Sequence, residues 1–386
     1  MPGPEDLLRA FQPVLLYDSQ ETYFADAADE WTATETNVLR RATGQVLARA
    51  VPHAGEPALD LDFLGLFRYG DGSPVLDDDE IANTGHDYVE QASRLHGRFG
   101  NVVYGHSRPD VNGRLWLQYW RWHFYNDFAL AGIHAGLHEG DWEMVQLRVG
   151  DDDAAPDLAV YAQHKGGEAL AWGNVRKEGC RPLVYVARGS HASYFSTDTV
   201  GRGNWLDRAD GRRRARTGEE LRIVDDASPP WVLWPGLWGG TRPTGFVLDA
   251  RSPTGPGAHS QWRDPLALVH LADEQARTPS IAPPAPPAAT FTARREDDRL
   301  MVDYDLGHAN LRGPATVTAL VVTVNPPDDK RQPPRTWALP VQDAHGTVSP
   351  PVDLDPSERY EVVVSTAADT GAASEAVDTM LPAADP

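Results

Sequence analysis

Apolar and polar positions alternate with period two in several runs of the chain. These are Trp142–Val149, Leu158–His164 and Pro182–Arg188, and each predicts a strand, as does the dense aromatic run Leu115–Asn126 (LWLQYWRWHFYN). Leu300–Tyr304, Val317–Val324 and Tyr360–Ser365 are rich in Val, Thr and Tyr and are separated by Pro, Asp and Gly clusters, so they predict a second set of strands. Asp87–Phe99 (DYVEQASRLHGRF) predicts a helix ended by Gly100. No fixed-period repeat is present, and the Gly-rich stretch from Ser196 to Gly257 is expected to form loops with little regular structure. The fold class is therefore all-β: a large β-sandwich with long loops, followed by a small one.

Residues 280–289 (SIAPPAPPAA) carry four prolines and no charge, the composition of a stiff extended linker. They divide the chain into a large domain, 1–279, and a smaller one, 290–386. In the smaller domain Leu354, Pro356 and Tyr360 stand in LDPSERY, and this resembles the L-x-P-x-x-x-Y corner of fibronectin type III domains. The resemblance implies that the tyrosine hydroxyl caps the preceding loop. Tyr304 lies near the place of that family's usual tryptophan.

Charge changes the picture next. Against 35 Lys+Arg the chain has 56 Asp+Glu, a net −21, which disfavours nucleic acid and anionic membranes as partners and favours cations. One cysteine, Cys180, excludes an intramolecular disulfide framework and a Cys-rich metal site. No apolar stretch is long enough for a transmembrane helix. The acidic start, MPGPEDLLRAFQ, lacks the pattern of a signal peptide, so the default expectation is a cytoplasmic protein.

The segment HEGDWEMVQLRV, His138–Val149, carries the candidate chemistry. Val145, Leu147 and Val149 share one strand face, and parity places Asp141 and Glu143 on it too. Inward carboxylates need compensation by an arginine, a histidinium or a metal ion. Arg121 and Arg148 are protein cations that could serve. Leu158, Val160, Ala162 and His164 share a face by the same parity, and His191 follows a strand in GSHASY. Asp, Glu and His without cysteine suit Mg²⁺, Ca²⁺ or Mn²⁺, with Zn²⁺ possible where two histidines bind.

The ordered motifs H-E-G-D-W-E, Y-A-Q-H-K-G-G-E, V-Y-V-A-R-G-S-H-A-S-Y and S-P-T-G-P-G-A-H-S-Q-W, within about residues 100–265, resemble the vacuolar protein sorting-associated family. The run H-x-x-D-W-E is also similar to the heptad of necrosis-inducing, ethylene-inducing-like cytolysins. That likeness implies a divalent-cation site in an acidic cavity, with Asp127, His138, Asp141 and Glu143 as its ligands. The heptad's second histidine position is Gly140 here.

Two functions are expected from these readings. The first is a metal-dependent hydrolase of a glycan- or ester-type substrate, with His164 and His191 as acid–base groups. The second is a non-catalytic, metal-dependent binder of a glycan or glycolipid headgroup. In either, Glu168, Tyr194, Trp234, Trp238 and His259 are the expected substrate contacts. Trp231, Trp234 and Trp238 in PPWVLWPGLWGG are expected at a rim, whereas Trp116, Trp120 and Trp122 are expected in a core. Ser190 lacks a G-x-S-x-G setting for a nucleophile, and the arginines at 208, 212–214 and 216 form a solvated basic loop.

Overall fold

The dense aromatic run Leu115–Asn126 becomes the axis of the large domain. In a computed structural model of the protein, residues 2–70, 72–85, 87–130, 133–134, 137–150, 155–164, 166–202, 205–214, 219–240, 251–275, 290–306, 317–325, 335–368 and 377–383 are described. Strand Leu115–Asn126 pairs antiparallel with Asn101–Pro109 on one side and His138–Val149 on the other. Pro156–Gln163 and Gly166–Ala171 extend the sheet antiparallel beyond His138–Val149. At the opposite edge Glu219–Ile223 joins Asn101–Pro109 in parallel, and Ala25–Asp26 pairs with His123 and Trp122.

Both faces of this sheet are covered, so its strands read as dense apolar runs. Leu117, Tyr119, Val145 and Leu147 face a second, four-stranded sheet through a shared core with Leu15, Tyr17, Val184 and Val186. That sheet pairs Val14–Tyr17 in parallel with Arg181–Val186, which also pairs with Lys177–Glu178 and Ser193–Tyr194. Its outer face gathers Val14, Leu16, Leu183, Tyr185 and Tyr194 around Val363 of the C-terminal module.

The opposite face of the large sheet presents Trp116, Trp120, Trp122, Phe124, Trp142 and Met144. Helices Ala28–Thr32, Leu61–Leu64 and Tyr88–Phe99 and the 3-10 turn Pro230–Leu233 cover it, with Pro265–Gln275 packed on the sheet's outer strands. The expected helix is Tyr88–Phe99; Asp87 caps its N-terminus by accepting from Glu90 N, and Gly100 ends it at φ +70°.

Two expectations are corrected. The stretch from Ser196 to Gly257 contains strands Asp198–Arg202, Trp205–Ala209 and Glu219–Ile223; the last is stabilised by parallel pairing with a strand more than a hundred residues earlier, which local pattern does not reveal. Trp234 and Trp238 do not form a rim. They are 2% and 0% exposed, because their Pro/Gly-rich segment folds over the sheet and buries its indoles.

The C-terminal module is a sandwich of three and four strands. Thr290–Glu296, Arg299–Asp305 and His345–Val348 form one sheet; Arg335–Pro340, Val317–Asn325, Tyr360–Ala368 and Val377–Leu381 form the other. Leu300, Val302, Leu320, Val322, Val362 and Val364 fill the space between them. The expected corner forms: Asp355 N donates to the Tyr360 hydroxyl at 3.1 Å, and Tyr304 lies in the core. The Pro/Ala linker lies outside the described residues.

Candidate functional site

Three non-glycine residues among those described adopt left-handed backbone: His164 at φ +48°, His191 at φ +53° and Asp297 at φ +56°. Asp297 turns a hairpin between strands of the C-terminal module. His164 likewise turns the hairpin between Pro156–Gln163 and Gly166–Ala171, and His191 lies in the connection between Arg181–Val186 and Ser193–Tyr194.

His164 follows the last residue of strand Pro156–Gln163. Parity put it beside Leu158, Val160 and Ala162, which pack toward the tryptophan core. The left-handed turn corrects that expectation. It carries the imidazole to the other side, where Gln163 Nε2 donates to Ser193 O at 2.9 Å. There His164 Nε2 lies 2.6 Å from Asp207 Oδ2. Asp207, 1% exposed, also accepts from Ser190 Oγ at 2.7 Å and from the Tyr194 hydroxyl at 2.5 Å. A carboxylate with three donors fixes the imidazole at its Nε2 edge.

His191 ends a tight turn after strand Arg181–Val186, its N–H donating to Ala187 O. Its Nδ1 is 2.8 Å from Asp141 Oδ2 and its Nε2 is 3.7 Å from Glu21 Oε1. Burial works against the charged ring, but the charge of Glu21 and the hydrogen bond to Asp141 prevail and push its pKa up to about 9. The His123 ring stacks on it, centroids 3.9 Å apart. Burial and the neighbouring His191 and Arg121 charges hold His123 well below the usual histidine range, so it is neutral and donates from Nδ1 to Tyr23 O at 3.0 Å. Glu21 is fixed by Thr22 N, Tyr23 N and Gly189 N at 2.7–2.8 Å.

Asp141 and Glu143 thus face inward, toward the second sheet. Arg121, 0% exposed, stands opposite Glu143 in the strand register and donates from Nη2 to His191 O at 3.1 Å and Ser193 Oγ at 2.8 Å. Burial, then the charge of Asp141, push the Glu143 carboxyl well above the usual carboxylate range. Arg148 is not their partner; it pairs with Asp157 at 2.8 Å.

Gly140 separates this cluster from another buried acid. At φ +66° it reverses the strand's parity, and a Cβ there would lie 1.8 Å from Trp238 O. Glu139 consequently turns to the tryptophan side, where Asn83 N, Gly240 N and the Tyr88 hydroxyl donate to it; burial raises its pKa to about 7.

The expected site residues therefore divide. His164, His191, Asp141, Glu143 and Tyr194 come together, joined by Glu21, Arg121, His123, Ser190 and Asp207. Glu168 is buried opposite Tyr161. Trp234, Trp238 and His259 belong to the tryptophan face, with His259 Nε2 bonded to Thr254 O at 3.1 Å. His138 bonds Gly140 O through Nδ1, and Asp127 is exposed with its N–H on Gly189 O. Glu21 and Asp207 were missed because only tertiary folding brings them to the strand; Ser-His pairing in GSHAS was the available signal for the turn. A shallow depression of about 500 Å3 lies elsewhere, lined by Asp77, Leu237, Arg251, Ser252 and Thr254.

Asp141 is engaged by His191, and among the described residues no three His, Cys, Asp or Glu side chains are arranged to hold a metal.

No family model and no curated protein matches the chain. Solved structures similar to it include the fibronectin III domain of human collagen alpha-1(XX), at 24% identity over 28% of this chain and 93% of that one, TM-score 0.20. A myokine is similar at 18% identity over 27% of this chain and 100% of that one, TM-score 0.21. Necrosis and Ethylene inducing Protein 2, from the agent of cocoa's witches' broom disease, is similar at 11% identity over 55% of this chain and 81% of that one, TM-score 0.22.

Proposed function

We propose that the large domain is a hydrolase of ester- or glycoside-type bonds that works by side-chain acid–base chemistry. The observation that carries this reading is the Asp207 carboxylate, buried and shared by His164, Ser190 and Tyr194. It orients the imidazole of His164, which is the arrangement a general base requires. Ser190 donates to Asp207 rather than to the imidazole, so it is not lined up as a nucleophile. Water is the nucleophile instead: its oxygen bonds to the substrate carbon and its proton passes to the His164 imidazole. Glu143, held protonated, gives its proton to the departing oxygen and is reprotonated through solvent from His164.

Turnover of chromogenic esters and glycosides tests the reading. His164→Ala and Glu143→Gln are each expected to lower kcat by about 10²–10⁴-fold, the range for losing a general acid or base. A wild type inert across both panels, or turnover untouched by both substitutions, would sink it. Ligand binding without turnover would assign the same cluster to recognition of glycan hydroxyls.

A further inference from the structure

Asp141 and Glu143 are turned inward, and Glu21 and Asp207 lie in the same cluster. Such a set needs a cation, because uncompensated carboxylates resist desolvation. Arg121 answers that need from the neighbouring strand. Its side chain is 0% exposed, stands opposite Glu143 in register, and uses only Nη2 for its two bonds, to His191 O and Ser193 Oγ. Nε and Nη1 are buried and have no hydrogen-bond partner. His191 is the second cation, bonded to Asp141 and flanked by Glu21.

We propose that Arg121 is the resident cation of this cluster, supplying beside Asp141, Glu21 and Asp207 the positive charge a divalent ion would otherwise bring. The inference is independent of turnover: it concerns what neutralises the acids, whether or not His164 and Glu143 act on a substrate.

Equilibrium dialysis and thermal unfolding of the full chain with Mg²⁺, Ca²⁺, Mn²⁺ or Zn²⁺ test it. Wild type is expected to bind none of these stoichiometrically and to keep its midpoint in EDTA. Arg121→Met removes the charge and leaves the acids facing one another. Its midpoint is expected to fall and then to rise by several degrees when a divalent ion saturates the site, a gain that loss of packing alone does not produce. Arg121→Lys keeps a cation and is expected to show no ion response. If Arg121→Met does not fold, Arg121→Met with Glu143→Gln removes one acid along with the cation and is expected to fold without responding to ions. Stoichiometric ion binding by wild type, lost in Glu143→Gln, overturns the proposal. So does an Arg121→Met protein, or a double variant, as stable as wild type with no ion present, or an ion response in Arg121→Lys equal to that of Arg121→Met.

Discussion

The two faces of strand His138–Val149 bury their side chains by opposite means. On one, Trp142 packs with Trp122, Trp231 and Trp238 at ring separations of 5.3–6.3 Å, an apolar interior that gains from area and contact. On the other, Asp141 pairs with His191 beside Arg121 and the raised carboxyl of Glu143, and the buried charge is tolerable only because its partner stands at a fixed place. The indole face tolerates small losses in proportion to volume. The ionic face fails when one partner is removed. A single strand serves both by alternation, and Gly140 adds Glu139 to the tryptophan side by reversing the parity before Asp141.

The sharpest way to break this comparison is Gly140→Ala. The new Cβ would sit 1.8 Å from Trp238 O and 2.0 Å from Trp122 Cη2, at a positive φ, so both faces shift together. The expected loss exceeds about 4 kcal/mol, the exceptional class for one substitution. Urea unfolding followed by tryptophan emission measures it, because eleven of the twelve tryptophans lie before residue 280.

Asp141→Asn attacks the ionic face alone. It strands a buried imidazolium, and about 3–5 kcal/mol is expected to be lost. Near-unchanged urea midpoints would show that the His191 charge is satisfied without it.

The third effect is on pH. The folded-state pKa of His191, about 9, lies above its ordinary 6.5, so its contribution is complete below pH 6.5 and disappears as pH rises through 9. A shift of that size is worth about 3 kcal/mol. Stability of the large domain measured from pH 6 to 10 is expected to fall accordingly, and His191→Gln is expected to flatten the fall.

The smallest effect probes the C-terminal module. Tyr360→Phe removes the hydroxyl that accepts from Asp355 N, and about 1 kcal/mol is expected to be lost by calorimetry, with no change in the large domain's transition.

Much of the ionic face was readable in the chain. Val145, Leu147 and Val149 fixed the parity that turned Asp141 and Glu143 inward, and Arg121 was among the cations that could meet them. His164 was assigned to the wrong side because alternation assumes extended backbone, and its φ of +48° breaks that assumption. Glu21 and Asp207 carry no local signature; they matter only where the chain returns to the strand. Trp234 and Trp238 were misplaced because prolines and glycines mark a loop equally well whether it fringes a sheet or lies across it.

Val363 has a mechanical consequence. It joins the C-terminal module to the cluster containing Tyr194, and the Tyr194 hydroxyl bonds Asp207. The module is therefore not a bead on a string. A pull or twist applied to it loads a cluster that includes Tyr194, and the load reaches His164 through two side chains in series, Tyr194 and the Asp207 carboxylate.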